Sequence, residues 1–280
     1  MMKRVYVEIT NVCNLQCAFC PGTVREKRFL SPEEFREIAG KLRGTAEYLY
    51  FHVMGEPLLH PALGTLLEIA DAMGFRVCLT TNGTLLPQRQ ETLLSAGALH
   101  KVSVSLHSFE GNGGGDLTAY LTGVWHFCRL ASDRGVICSL RLWNEGGANT
   151  RNAEVEAFLS RQVACDVSAL PRDAVGSRKL AERLYLETAE QFDWPALSAG
   201  EREVQFCHGL RRQIAVLCDG TVVPCCLDSD GTIALGNLFT QELDEILHSP
   251  RALAIQEGFS RRCPTEALCR RCGYAERFRR

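Results

Sequence analysis

Apolar and polar positions take turns in RVYVEI (residues 4–9), the period of a half-buried strand. Ser31-Pro32-Glu33-Glu34 then signals a helix start, with an N-cap serine, a proline in the first turn and a glutamate placed to close a capping box. Phe35, Ile38, Ala39 and Leu42 supply that helix's apolar stripe. EYLYFHVM (47–54) predicts a second strand. Leu63, Leu66, Leu67, Ala70 and Met73 mark a second helix, which Gly74 ends in the manner of a C′ glycine. FRVCLTT (75–81) is the third expected strand, followed by a short helix at about 88–96 that stops at Gly97. KVSVSLH (101–107) alternates Val102, Val104 and Leu106 against serines. After the glycine-rich EGNGGGD come a helix at about 116–134, a strand in VICSLRLW (136–143) and a helix at about 151–162. A weaker sixth strand is expected near ERLYLE (182–187).

Six strands with helices between them imply parallel βαβ units and an α/β fold. Six repeats fall short of a closed eight-fold barrel and suit an open, partial (β/α)6 TIM-like barrel, whose chemistry gathers on loops leaving the strands' C-terminal ends. After Trp194-Pro195 the pattern changes: RRQIAVLC, Asp219-Gly220 and TVVPCC read as a β-hairpin around an Asp-Gly turn. A short helix near 241–248 and a cysteine- and arginine-rich tail complete the chain. Two domains are therefore expected, a barrel core over 1–195 and a small cysteine-rich domain carrying the hairpin over 196–280.

Charge narrows the function classes. Lys and Arg number 31 against 33 Asp and Glu, a balance that suggests neither a nucleic-acid nor a membrane surface. The N-terminus lacks the apolar core of a signal peptide, and no apolar run is long enough to span a bilayer, so a cytoplasmic protein is expected. Fourteen cysteines are many for such a compartment, where clustered thiols bind metal more often than they form disulfides. Cys13, Cys17 and Cys20 form one group; Cys207, Cys218, Cys225, Cys226, Cys263, Cys269 and Cys272 form another. Cys78, Cys128, Cys138 and Cys165 stand in apolar surroundings and are expected to be small buried hydrophobes.

The triplet, in TNVCNLQCAFCPG (10–22), lies just past the first strand. Three thiolates can hold three corners of a cubane iron–sulfur cluster and leave one iron open, or hold a catalytic zinc with water as fourth ligand. Phe19 before the third cysteine makes the segment resemble the Cys-x₃-Cys-x-aromatic-Cys signature of radical S-adenosylmethionine (SAM) enzymes. Three further segments match that superfamily in position. Gly55-Glu56-Pro57 follows the second strand, where the family has a Gly-Glu motif that holds the SAM amino group. Thr80-Thr81-Asn82-Gly83 ends the third, and Ser105-Leu106-His107-Ser108 ends the fourth. On strand five, Arg141 is a candidate partner for the SAM carboxylate, the alternatives being a salt bridge to a neighbouring strand or solvent exposure, and Asn144 stands beside it. His107 either lines the pocket or is a hydrogen-bonded core histidine.

The resemblance implies a 4Fe–4S cluster at Cys13, Cys17 and Cys20, SAM on its open iron, and reductive cleavage of SAM to a 5′-deoxyadenosyl radical that takes hydrogen from a substrate. Gly55, Glu56, Pro57, Thr81, Asn82, Ser105, His107, Arg141 and Asn144 are then the candidate SAM contacts. Cys207, Gly220-x₄-Cys225 and Cys269-x₂-Cys272 resemble the SPASM or twitch extension, implying one auxiliary 4Fe–4S cluster on four thiolates. A four-cysteine structural zinc is the alternative, and Cys218, Cys226 and Cys263 have no assigned role.

Many relatives modify peptides or proteins; others act on carbohydrates or cofactor precursors. A peptide or protein side chain is the expected substrate, a small molecule the alternative, and a non-catalytic iron–sulfur or zinc protein the rival from another class. The first barrel strand begins near residue 4, so an N-terminal leader-peptide-binding domain is not expected, and recognition of a peptide is expected to be internal or supplied by a separate protein. Arginines 261, 262, 270, 271, 277, 279 and 280 crowd the tail, either as a solvated basic end or as a docking face for an acidic flavodoxin or ferredoxin that supplies electrons.

Overall fold

The computed structural model describes residues 2, 4–112, 115–147, 151–174 and 176–278. The alternating segments become a parallel sheet: β1 (Arg4–Val7), β2 (Tyr48–Phe51), β3 (Arg76–Thr81), β4 (Leu99–Ser105), β5 (Ile137–Glu145) and β7 (Leu184–Glu190), paired in that order. Between them run α1 (Pro32–Leu42), α2 (Leu63–Ala72), α3 (Leu86–Leu94), the short α4 (His107–Glu110), α5 (Leu117–Asp133) and α6 (Asn152–Val163). Arg183, with φ +55°, turns the chain between β6 (Ser177–Ala181) and β7, which pair antiparallel, so the weak sixth strand is the second arm of a hairpin.

Local signals act as expected. Glu34 N–H donates to Ser31 Oγ at 3.1 Å and Ser31 N–H to Glu34 Oε2 at 2.8 Å, closing the capping box of α1. Gly74, at φ +81°, ends α2 in the left-handed conformation that a side chain would oppose. Strand alternation divides the sheet into two chemistries. Val5, Val7, Leu49, Phe51, Val77, Leu79, Val102, Val104, Leu140 and Leu186 pack with Phe35, Leu42, Leu66 and Phe127 of the helices in one apolar core. Burying each such side chain contributes about 1.5–3 kcal/mol. The opposite, concave face is polar or aromatic: Tyr6, Tyr50, Ser103, Ser139, Arg141 and Glu187 fall at matching register positions.

The C-terminal hairpin joins this sheet. β8 (Gln213–Val216) pairs parallel with β1, Arg4 opposite Gln213 and Val7 opposite Val216. β9 (Thr221–Val223) returns antiparallel, and β10 (Gly236–Asn237) closes that edge. Gly220 makes the turn at φ +83°, where a Cβ would lie 2.5 Å from the Phe239 ring. α7 (Leu243–Leu247), α8 (Pro250–Ser260) and 3₁₀ turns at Cys269–Arg271 and Gly273–Phe278 complete the chain. Among the described residues no helix is long and apolar enough to cross a membrane.

Candidate functional site

The triplet loop leaves β1 and is fixed from three sides. Glu56 N–H donates to Val12 O at 2.8 Å, so the segment after β2 lies directly under the loop. Gly55 makes that approach possible: at φ +79°, a Cβ there would sit 2.5 Å from Thr10 O and 2.9 Å from Val12 O. Across the sheet, Asn14 Nδ2 donates to Thr84 Oγ1 at 2.9 Å, and Asn82 Nδ2 to Asn14 Oδ1 at 2.9 Å. On the far side Asn112 accepts from Gln16 N–H at 2.6 Å and donates from Nδ2 to Cys17 Sγ at 3.1 Å. Phe19 packs on the His107 ring, centroids 4.9 Å apart. The loops after β2, β3 and β4 thus converge on the loop that carries Cys13, Cys17 and Cys20.

Glu56 stands at the centre of this convergence, 1% exposed. Its Oε1 accepts from Thr81 Oγ1 at 2.7 Å and Leu58 N–H at 3.0 Å, and its Oε2 from Asn82 N–H at 2.7 Å. Burial pushes its carboxyl up to about 7, against the pull of these three donors. A carboxylate has about four acceptor positions, so one more donor can be taken at Oε2. Pro57 is buried in the short 3₁₀ turn that Glu56 caps. The Asn82 carbonyl accepts from Tyr120 OH at 2.7 Å, and Ser105 O accepts from Ser108 Oγ at 2.6 Å. Burial holds His107 down to about 4, so its ring is neutral at pH 7; Nδ1 lies 3.1 Å from Arg141 O.

Two candidates from strand five have other partners. Arg141 Nε lies 3.2 Å from Glu187 Oε2 on β7, and its guanidinium stacks on Trp143. Glu187 also pairs with Lys101 at 3.1 Å and accepts from Ser139 Oγ. Although burial raises its carboxyl, Arg141 and Lys101 hold it below the usual range. Asn144 is closed in a reciprocal amide pair with Asn152 at the start of α6, both bonds 2.9 Å.

The second cysteine group assembles from chain segments far apart in sequence. Burial and the neighbouring Cys207, Cys226, Cys269 and Cys272 push the Cys225 thiol well up. Burial and Cys207 raise Cys269 as well, and burial pushes Cys272 to about 11. No disulfide joins any of these thiols. Among the described residues no three His, Cys, Asp or Glu side chains already stand as a ready cage for a single metal ion. Soft thiolates brought together without disulfides suit an iron–sulfur cluster, whose several irons hold its ligands apart.

The remaining cysteines divide by environment. Cys226 is engaged by the Tyr6 hydroxyl, whose ring packs against Tyr50 with centroids 5.0 Å apart. Cys218, 1% exposed, lies 3.6 Å from Arg25 Nη1. Cys263 is exposed. Cys78, Cys128 and Cys138 are buried as expected, but Cys165 is exposed, because the chain turns through left-handed Ala164 just before it. Of the tail arginines, Arg261 pairs with Glu257, Arg270 and Arg271 with Glu201, and Arg277 stacks on Tyr274; Arg279 and Arg280 lie outside the described residues.

Sequence reasoning passed over Glu8 and Arg25. Glu8 is fully buried and accepts from Arg25 Nη2 at 2.7 and 2.8 Å, from Met54 N–H at 3.2 Å and from Cys218 N–H at 3.1 Å. Arg25 Nε also donates to Ser229 O at 2.9 Å, and Thr23 Oγ1 to Asp230 at 2.6 Å. The segment after the triplet is therefore tied to the C-terminal region. A glutamate continuing the pattern of a buried strand was the available signal.

Comparison with known proteins agrees with this arrangement. The radical SAM superfamily profile matches residues 7–136, and an iron–sulfur cluster-binding domain of the SPASM type matches residues 207–273. The chain thus carries a radical SAM domain followed by a SPASM iron–sulfur domain, which together imply SAM, a 4Fe–4S cluster and auxiliary iron–sulfur binding. A GTP 3′,8-cyclase of Chlorobaculum tepidum is 34% identical over 110 residues, 38% of this chain and 33% of that protein. The match thus spans about a third of that relative's length. The antilisterial bacteriocin subtilosin biosynthesis protein AlbA of Bacillus subtilis is 24% identical over 95% of this chain and 66% of its own. The crystal structure of BtrN in complex with AdoMet and 2-DOIA superposes with a TM-score of 0.63 at 18% identity, covering 97% of this chain and 93% of that one, a likeness of fold.

Proposed function

We propose that the protein cleaves SAM reductively and directs the resulting radical at a peptide or protein side chain. The observation that carries this reading is the convergence of the Gly55-Glu56, Thr81-Asn82 and Ser108–Asn112 segments on the triplet loop. In this reading Cys13, Cys17 and Cys20 hold the SAM-binding cluster, and Cys207, Cys225, Cys269 and Cys272 hold one auxiliary cluster. When bound, the triplet cluster and SAM would supply one-electron cleavage of a carbon–sulfur bond, the electron coming from an external reductant. The chain's own work is binding and exclusion of water. Oε2 of Glu56 takes an ammonium donor, the Gly55 and Pro57 backbone shapes the floor, and Thr81, Asn82, Ser105 and neutral His107 line the approach. Arg141 and Asn144 hold the walls through Glu187 and Asn152.

A peptide substrate is supported by the bacteriocin-biosynthesis relative, which aligns along nearly the whole chain. A small-molecule substrate is the second reading, favoured by the charged Lys101, Arg141 and Glu187 group on the concave face and by the GTP 3′,8-cyclase match to the N-terminal half. A flavodoxin or ferredoxin is the proposed electron donor, and the free thiols accord with a reducing, cytoplasmic setting.

The test is anaerobic reconstitution, then dithionite and SAM, with assay for 5′-deoxyadenosine. Cys17→Ala is expected to abolish the product, while Cys269→Ala lowers iron content and leaves some cleavage. No deoxyadenosine from fully loaded protein would sink the proposal. Incubation with candidate precursor peptides and intact-mass measurement separates the peptide reading from the small-molecule one.

A further inference from the structure

A cavity of about 630 Å³ lies outside the convergence around the triplet, between the segment that enters β8 and the end of α8. Arg211, Arg212 and Arg262, all exposed, are among its lining residues. No carboxylate lines it, and among the described residues no ion pair reaches any of these three guanidinium groups. The contrast with Arg202 and Arg270 nearby is direct, since Asp193 and Glu201 pair with those. Among the described residues, the Arg211 side chain reaches Ser260 Oγ and the Phe206 ring.

Aromatic rings share the lining of the cavity, with Arg211 lying over Phe206 at 5.6 Å. Phe206, Phe259 and Phe278 line it, and Phe278 meets the His208 ring edge-on at 4.8 Å. His208 Nδ1 is shut off from solvent and has no hydrogen-bond partner. Three exposed guanidinium groups without a carboxylate in ion-pair reach, beside apolar rings and one unsatisfied polar atom, offer chemistry complementary to an aromatic anion. The volume falls within the range of small-molecule sites.

We propose that this cavity binds a nucleotide-sized aromatic anion, its ring on the phenylalanines and its phosphate or carboxylate groups on Arg211, Arg212 and Arg262. Phe206 and His208 flank Cys207, so the ligand sits beside the second cysteine group rather than at the triplet. The inference goes beyond the radical chemistry and does not depend on it.

The probe is ADP, titrated calorimetrically into anaerobically reconstituted protein with SAM already saturating, so that the adenosyl pocket is filled. One-to-one binding that weakens with rising salt is expected. Adenosine, which lacks the charge, and inorganic phosphate, which lacks the ring, should each bind at least about tenfold more weakly. Arg212→Gln and Arg262→Gln should each weaken ADP roughly tenfold, the scale of one lost charge-assisted hydrogen bond. Unchanged iron content and unfolding midpoint in both variants show that neither acts by unfolding, and Arg161→Gln, on α6, should bind as wild type. Undetectable ADP binding, or equal affinity in an Arg212→Gln/Arg262→Gln double variant, overturns the proposal. Binding of an acidic phenylalanine-containing peptide in place of ADP overturns it too, in favour of a protein-docking face.

Discussion

Removal of Arg25 tests how the triplet segment is anchored. Arg25→Ala takes away both contacts to Glu8, at 2.7 and 2.8 Å, and the Nε bond to Ser229 O at 2.9 Å. Glu8 is left fully buried with only the Met54 and Cys218 amides as donors. Stranding a buried charge in this way costs about 3–5 kcal/mol. At an unfolding entropy of about 2.1 cal/mol/K per residue, the 280-residue chain should lose roughly 5–8 °C in Tm. Urea titration followed by far-UV circular dichroism reads the free energy, and a Glu8→Gln/Arg25→Met double variant supplies the control. The double variant leaves no unpaired charge, so it should recover at least half of the loss. A single variant within about 1 kcal/mol of wild type, or a double variant no better than the single, would refute the anchoring role.

Other consequences can be measured separately. Because burial raises Glu56 to about 7, its folded form keeps a proton that the unfolded chain gives up near 4.5. Its contribution is therefore intact below pH 4.5, declines as pH rises to 7 and is flat above, a swing of about 3 kcal/mol. Urea midpoints of the metal-free protein should follow that slope, and Glu56→Gln should flatten it; identical slopes would contradict the burial argument. Gly55→Ala forces a Cβ to within 2.5 Å of Thr10 O, so iron loading should fall toward that of the auxiliary site alone, with the Cys269→Ala decrement unchanged. Asn144→Ala breaks both bonds of the amide pair and should cost about 1–3 kcal/mol of stability, with SAM affinity within twofold of wild type. A tenfold loss of SAM affinity would instead place Asn144 at the ligand.

Much of the barrel is legible because parallel strands repeat one local code: an apolar face for the helices, a polar face for the interior, and a glycine or cap at each turn. The triplet, Gly55-Glu56 and Thr81-Asn82 are legible for a related reason, each following a strand that the alternation marks. Arg141 and Asn144 show where that code stops. Their strand and face are readable, but whether Glu187, Asn152 or a ligand receives them depends on register between distant segments. Glu8 and Arg25 are invisible for the same reason, since a buried glutamate is explained only once its arginine is brought to it. The hairpin reads correctly by its Asp-Gly turn, yet nothing local says that β8 will pair with β1.

That pairing makes β1 a ruler shared by two sites. Cys13, Cys17 and Cys20 follow its C-terminal end, whereas β9 brings Cys225 back toward the level of Arg4. At about 3.3 Å per strand residue, each residue of β1 sets one increment of their separation. A one-residue deletion within Arg4–Val7 would turn Tyr6 and Glu8 to the wrong face and shorten the spacing in the same stroke. Neither cysteine group can then be moved along the barrel axis without resetting the other, so changes in reach must come from the loops.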